Sequence, residues 1–479
     1  MMLNLQRCLM LRSPAYSGWN ATLWDACPCL SGCPYWLCYR PEHHASGVAC
    51  HFGQPAPKRS DATDACYILC NFMTDAPASP QPKRPLASKA IAGFCLVVWL
   101  FGVALSLFLF VRDYMASQHA HGWSINGFAI WGRDFVNVFT SGRFVIEGRL
   151  DQLYDQNLYR AWQTDHFGWG IHDHMYSYPP VTLLYTPAFG AIPYFWSLAL
   201  WTIISLLLFG YAARPWLARE KLGEGLALIV PSTIVCVWAG HYGLIMGALW
   251  LSAWHHLEER PRLSGLMTGL MIIKPHMAVL MPVLMLRRKA WSAMTTAAMT
   301  VAVLVGMSIL FFGLDLWRTY LESTSQSQLS LLHATHTFFA KMMPTISPAL
   351  FALGFPAELV WPAQVAVATV VIILMWKYMP ADPHSAGLAA AVATFLILPY
   401  AFNYDMTVVG LASLIVMARA SRALRFWPAL AASIIFLLPA AITYMNKGGF
   451  WISPLLLGAF LFQLIHGTER AQRWDKMPS

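Results

Sequence analysis

From Lys89 onward the chain is a succession of apolar runs interrupted by short polar turns, and this alternation constrains the fold more than any single motif. The runs cover 91–111, 195–213, 224–239, 243–256, 263–273, 276–286, 290–313, 360–379, 385–400, 404–418, 427–445 and 450–466. The sequence is 57% hydrophobic and only 11% charged, whereas soluble domains carry about a quarter charged residues. A soluble protein this apolar has too little polar surface to cover itself, while a chain dissolved in lipid has no such need. The expectation is an all-α polytopic membrane protein, a bundle of about twelve transmembrane helices. Several runs fall short of the roughly 20 residues that an upright helix needs to cross a bilayer. Helices that end inside the membrane must have their free backbone groups met by protein or water, so short helices predict a water-filled cavity.

The net charge of +9 does not point to nucleic acid. The basic residues sit in clusters between apolar runs, as in the cytoplasmic loops of membrane proteins. Lys83, Arg84 and Lys89 precede the first run. Further clusters are Arg214, Arg219 and Lys221, then Arg260 and Arg262, then Arg287, Arg288 and Lys289, then Arg419, Arg422 and Arg425. Alternating twelve helices puts every cluster inside and predicts both termini in the cytoplasm of a cell whose inner (plasma) membrane holds the protein. The long loop 113–178 then falls outside, where Asp113, Asp134, Glu147, Asp151, Asp155, Asp165 and Asp173 outnumber the arginines.

Residues 1–85 have a different character. Eight of the ten cysteines lie there, at 8, 27, 29, 33, 38, 50, 66 and 70, with His43, His44 and His51 nearby. Neither a C-x-x-C pair nor an H-x-x-x-H pair is present, so a zinc cluster is not indicated. The stretch is expected to be a disordered tail or to lie upstream of the true start, with Met73 as a start and 86–479 as the folded domain.

In the twelve-helix topology four polar turns share the exoplasmic face. They are the loop holding Asp134, Gly240-His241-Tyr242-Gly243, Lys274-Pro275-His276 and Asn403-Tyr404-Asp405. Charged groups at such depth are costly and usually mark a site. Each turn alone is also compatible with an ordinary connection, with Lys274 reaching water along its stem. Two function classes fit a cavity opening outward. A transporter or flippase places its polar groups near the bilayer midplane with access from both sides. An enzyme acting on a lipid-linked substrate needs a large outer loop with an acid or base, a lateral opening and a cation for phosphate. Loop 113–178, rich in aromatics and acids, favours the enzyme, as does the segment Ser323 to Phe339, polar on one side and apolar on the other, which suits the interface.

These residues resemble glycosyltransferase family 87. Arg133-Asp134-Phe135, Gly148, Leu153-Tyr154-Asp155 and Tyr178-Pro179-Pro180 look like that family's first exoplasmic loop. Gly240-His241 stands where the family commonly has Gly-Gln, and Phe139 where it often has tyrosine. Gly265, Gly269 and Ile273-Lys274-Pro275, followed by Arg287-Arg288, resemble its glycine-spaced helix, and Pro399-Tyr400 with Asn403-Tyr404-Asp405 its late aromatic-acid motif. The resemblance covers roughly residues 90–420. It implies a GT-C-like bundle and a membrane enzyme that moves a hexose or pentose, mannose-like or arabinofuranose-like, from a polyprenyl-phosphate sugar to a lipid or glycan acceptor.

Such a donor already carries a good leaving group. The protein has to deprotonate the acceptor hydroxyl, hold the phosphate and shield the anomeric carbon, with attack from the opposite face giving inversion. Asp134 is the candidate base, since it matches the family's loop acid; a helix cap or a partner of Arg133 is its bland alternative. Lys274 is the candidate phosphate cation. His276 and His241 are candidates to bond phosphate or sugar hydroxyls, and Asp405 to orient a sugar hydroxyl or serve as counter-ion of the lysine. Tyr404 and Tyr178 are candidates for the sugar pocket, although interfacial aromatics often serve as anchors. No Asp-x-Asp motif stands in the exoplasmic loops, so neither a metal nor another cofactor is expected. A nucleotide-sugar donor is disfavoured by the lack of a Gly-rich phosphate loop.

Overall fold

A run of helix-forming sequence punctuated by proline and glycine folds here as an all-α structure. The computed structural model describes residues 86–116, 130–168, 174–334 and 336–474, and among these every regular element is helical. The cysteine-rich stretch 1–85 with Met73 lies outside the described residues, as do Asp173 and the side chain of Asp113.

The α-helices are α1 (Leu86–Ala116), α2 (Phe135–Glu147), α3 (Gln156–Phe167), α4 (Thr186–Gly190), α5 (Tyr194–Arg219) and α6 (Pro231–Ala239). They continue with α7 (Gly243–His255), α8 (Pro261–Leu270), α9 (Leu280–Arg287), α10 (Trp291–Phe312), α11 (Leu314–His333) and α12 (Phe338–Lys341). The last six are α13 (Ile346–Ala352), α14 (Ala357–Tyr378), α15 (Pro383–Ile397), α16 (Thr407–Arg422), α17 (Phe426–Lys447) and α18 (Ser453–Trp474).

All twelve apolar runs fall on helical elements, but they are not alike. Among the described residues five helices, within α1, α5, α10, α14 and α17, are long and apolar enough to cross a membrane by length and composition. Pro261–Ile273, Pro275–Arg287, Pro383–Ile397 and Ser453–His466 are apolar but shorter. Local chemistry explains the shortening. Proline opens α6, α8 and α15, where its missing N–H costs nothing. Pro275 lacks the N–H needed to carry the α8 run onward, so short 3-10 turns flank Lys274 instead.

Burial separates an inner from an outer layer. Residues 385–397 of α15 and 407–417 of α16 are buried without a break, the pattern of helices enclosed on all sides. Around them stand helices with bare apolar faces. Only 6% of the apolar window of α10 is buried, and Leu310 is 80% and Trp196 74% exposed. Exposed apolar surface on this scale far exceeds what a soluble monomer shows, and lipid is the medium that covers it. α8 packs closely on α10, because a Cβ on Gly265 or Gly269 would come within 2.3 Å of the Ala293 carbonyl or 2.5 Å of Thr300.

Charge collects at two ends. At one, Glu220 beyond α5 pairs with Arg419 and Arg422, Arg219 with Asp382, and Arg288 with Glu258 and the carbonyls of Pro380 and Ala381. This joins the basic clusters that the sequence shows as separate. Helices α5 and α7 run from there to the other end, where the four polar turns meet under a cap made by α2 and α3. The loop 113–178 is thus not a bare connection. The cap is held by Tyr159 donating to Asn137 at 2.9 Å and Gln163 donating to Thr140 at 3.2 Å.

Candidate functional site

The turn that carries Asp134 is fixed through its backbone. Its N–H donates to the Ala239 carbonyl at 3.0 Å, and Trp201 donates to Gly240 O at 3.1 Å. Gly240 is in the left-handed region at φ 61°, and a Cβ there would sit 2.2 Å from the Gly132 carbonyl. Only glycine lets these two turns touch. Arg133 itself has φ 40°, an uncommon and strained geometry for a residue with a side chain. Its guanidinium lies 4.2 Å from the Trp238 ring centre and 5.1 Å from that of Phe338.

Asp134 stands at the N-cap position of α2, yet its side chain makes no capping bond. It turns instead into a cavity of about 120 Å³, with 13% of the side chain exposed. His174 Nε2 is 3.9 Å from its Oδ1, and the Tyr404 hydroxyl lies on the same side of the cavity. Burial pushes its carboxyl up to about 6, against the opposing pull of Arg133 and Lys274. A carboxylate that resists ionisation but remains ionised near neutrality is well matched to accepting a proton.

The Lys274 turn and the Asn403–Asp405 turn close on each other. Lys274 Nζ donates to both Asp405 oxygens, at 2.6 and 2.7 Å, and both side chains are buried. Asp405 also accepts from the Phe402 N–H at 3.3 Å. Asp405 is thus the carboxylate that pairs with Lys274. His241 Nδ1 lies 3.6 Å from Asp405, its Nε2 is 2.8 Å from the Tyr178 hydroxyl, and its ring stacks on Tyr404 at 4.1 Å. His276 faces Tyr400 at 5.1 Å. Thr407 donates to Gly243 O at 2.9 Å, tying the second and fourth turns together.

Six of the seven residues singled out in the sequence, Asp134, Lys274, His276, His241, Tyr404 and Tyr178, line this one cavity, and the seventh, Asp405, is bonded behind Lys274. Tyr400 of the late motif lines it too, as do Asn137, His174, Tyr320, Thr324 and Phe402, which the sequence did not single out. Two buried polar atoms that face it, His276 Nε2 and Thr324 Oγ1, have no hydrogen-bond partner among the described residues. Asp155, another acid of the cap, is exposed and spends its carboxylate on the N–H groups of Asn157 and Leu158 as the cap of α3. Among the described residues no three His, Cys, Asp or Glu side chains gather as a metal site.

Neither a curated protein nor a solved structure matches the chain. The description of glycosyltransferase family 87 matches residues 176–399, a span that holds Tyr178, His241, Lys274 and His276, with Asp134 before it and Asp405 just after. The match to glycosyltransferase family 87 over that span indicates a membrane glycosyltransferase.

Proposed function

We propose that the protein moves a sugar, mannose-like or arabinofuranose-like, from a polyprenyl-phosphate donor to a lipid or glycan acceptor on the exoplasmic face, with inversion. The observation that carries this reading is the uncapped, cavity-facing Asp134 carboxylate. It takes the proton of the acceptor hydroxyl as that oxygen attacks the anomeric carbon. Tyr404 and His174 hold its orientation. Tyr178, His241 and His276 offer groups for sugar hydroxyls, and Lys274, tied to Asp405, stiffens the floor and keeps one ammonium proton for the sugar.

The test is purified full-length protein with radiolabelled polyprenyl-phosphate sugars and a membrane extract as acceptor. Transfer with a change of anomeric configuration is expected. A protein that transfers nothing from any such donor but moves a solute across vesicles overturns the reading in favour of transport. The proposed orientation, with twelve crossings and both termini cytoplasmic, is tested at Asn157, which is exposed on α3. Asn157→Cys is expected to react with an impermeant maleimide on intact cells, and reaction only after permeabilisation reverses the topology.

A further inference from the structure

The site cavity is small. At about 120 Å³ it has room for about four waters at ~30 Å³ each, not for a lipid-linked sugar. Beside it, sharing His174 and Phe339 as a common wall, lies a second cavity of about 670 Å³, within the range of pockets that hold whole ligands. Four cations line it, Arg112, Arg133, Lys341 and Lys447, and no Asp or Glu does among the described residues. Neither the Lys341 nor the Lys447 ammonium has an ion-pair partner among the described residues. They come from the outer end of α1, the turn before α2, α12 and the end of α17, so the fold brings together four positive charges distant in sequence. The remaining wall mixes apolar Leu109, Phe110, Ile234 and Trp238 with polar Asn403 and Thr443, and it is flanked by the exposed face of α1 at Phe108 and Val111.

Adjacent residues serve the two spaces: Arg133 lines the larger cavity and Asp134 the smaller. We propose that the larger cavity seats the phosphate of the lipid-linked donor, with these four cations as its counter-charge and the prenyl chain leaving along α1 and α6, while the acceptor hydroxyl enters the smaller cavity beside Asp134. This rests on the transferase reading above and moves the phosphate away from Lys274, whose charge Asp405 already matches. The acceptor oxygen bonds to the anomeric carbon and gives its proton to Asp134. The bond from the anomeric carbon to the phosphate oxygen breaks, and its electron pair stays on that oxygen. The phosphate thereby goes from a singly charged diester to a more highly charged monoester, so its cations act more strongly as the bond breaks.

The test uses farnesyl phosphate, uncharged farnesol and inorganic phosphate as probes of the purified full chain. The Lys341→Gln/Lys447→Gln variant is expected to bind farnesyl phosphate about tenfold more weakly or worse, the cost of about 1.4 kcal/mol in lost charge-assisted contact. Farnesol binding stays unchanged, and Lys341→Arg/Lys447→Arg retains farnesyl phosphate. Both lysines are at least partly exposed, so the variants are expected to melt with the wild type. If farnesyl phosphate binding is the same in the Gln variant, or if inorganic phosphate binds as tightly as farnesyl phosphate, the assignment falls. Sugar transfer with an unchanged donor KM in the Gln variant also overturns it while leaving the transferase reading standing. Lysine-dependent farnesyl phosphate binding in a protein that transfers no sugar supports the seat and removes the transferase reading instead.

Discussion

At the basic end of the helices the charged groups answer one another. Glu220 is held by Arg419 and Arg422, Asp382 by Arg219, and Glu258 by Arg288, whose remaining donors reach backbone carbonyls. The end under the α2–α3 cap is built differently. There Lys274 and Asp405 pair as a buried floor, and above it stand a carboxylate that caps nothing and polar atoms without partners among the described residues, all facing a cavity. Beside them Lys341 and Lys447 line a second cavity, among whose described lining residues there is no Asp or Glu. Both ends are polar and both interrupt the apolar pattern. Saturated polar groups hold a fold together, whereas groups left aimed at a space are arranged for something that comes from outside.

Removing charge at the capped end breaks the comparison most severely. Asp134→Asn is expected to fold and insert normally, because the side chain caps no helix, while turnover falls by about 10²–10⁴-fold, the range for loss of a general base. Wild-type turnover in this variant, measured with labelled donor, moves the base elsewhere. Lys274→Met acts on stability instead. It strands a buried carboxylate, and a loss of about 3–5 kcal/mol is expected, read as a fall in melting temperature. Lys274→Met/Asp405→Leu removes both charges and is expected to recover much of that loss without recovering activity. Failure to recover means that the pair is more than a floor. Glu220→Gln at the basic end is the milder counterpart. Its arginine partners are partly exposed, so about 1–2 kcal/mol of stability is expected to go, with donor KM and turnover unchanged. A change in turnover that exceeds the loss of folded protein contradicts a purely structural role for that end.

The inner and outer helices were legible because apolar runs leave little choice of environment, and the breaks were legible because Pro275 and Gly240 have few other uses. The site turns could be named for the same reason: Lys274, His241 and Asp405 are conspicuous against an apolar background. Less visible was how they pair. Sequence allowed Lys274 to face a phosphate or Asp405, and the pairing with Asp405 shows only where two turns 131 residues apart meet. The α2 and α3 cap was missed within the loop, although Asp155 followed by Asn157 and Leu158 is a readable helix start. The four-cation cavity has no local signal at all, since Arg112, Arg133, Lys341 and Lys447 belong to four separate elements and no spacing rule joins them.

The pH dependence of transfer tests the central claim most directly, because it reads the protonation of the group held to be the base. Burial holds Asp134 up at about 6, and a base works only when ionised, so kcat/KM should be level above that pH and fall about tenfold per unit below it. The account predicts this acid limb near pH 6 in the wild type and its absence from the residual activity of Asp134→Asn. The same limb in both proteins, or a wild-type limb at the ordinary aspartate position near 4, would contradict it.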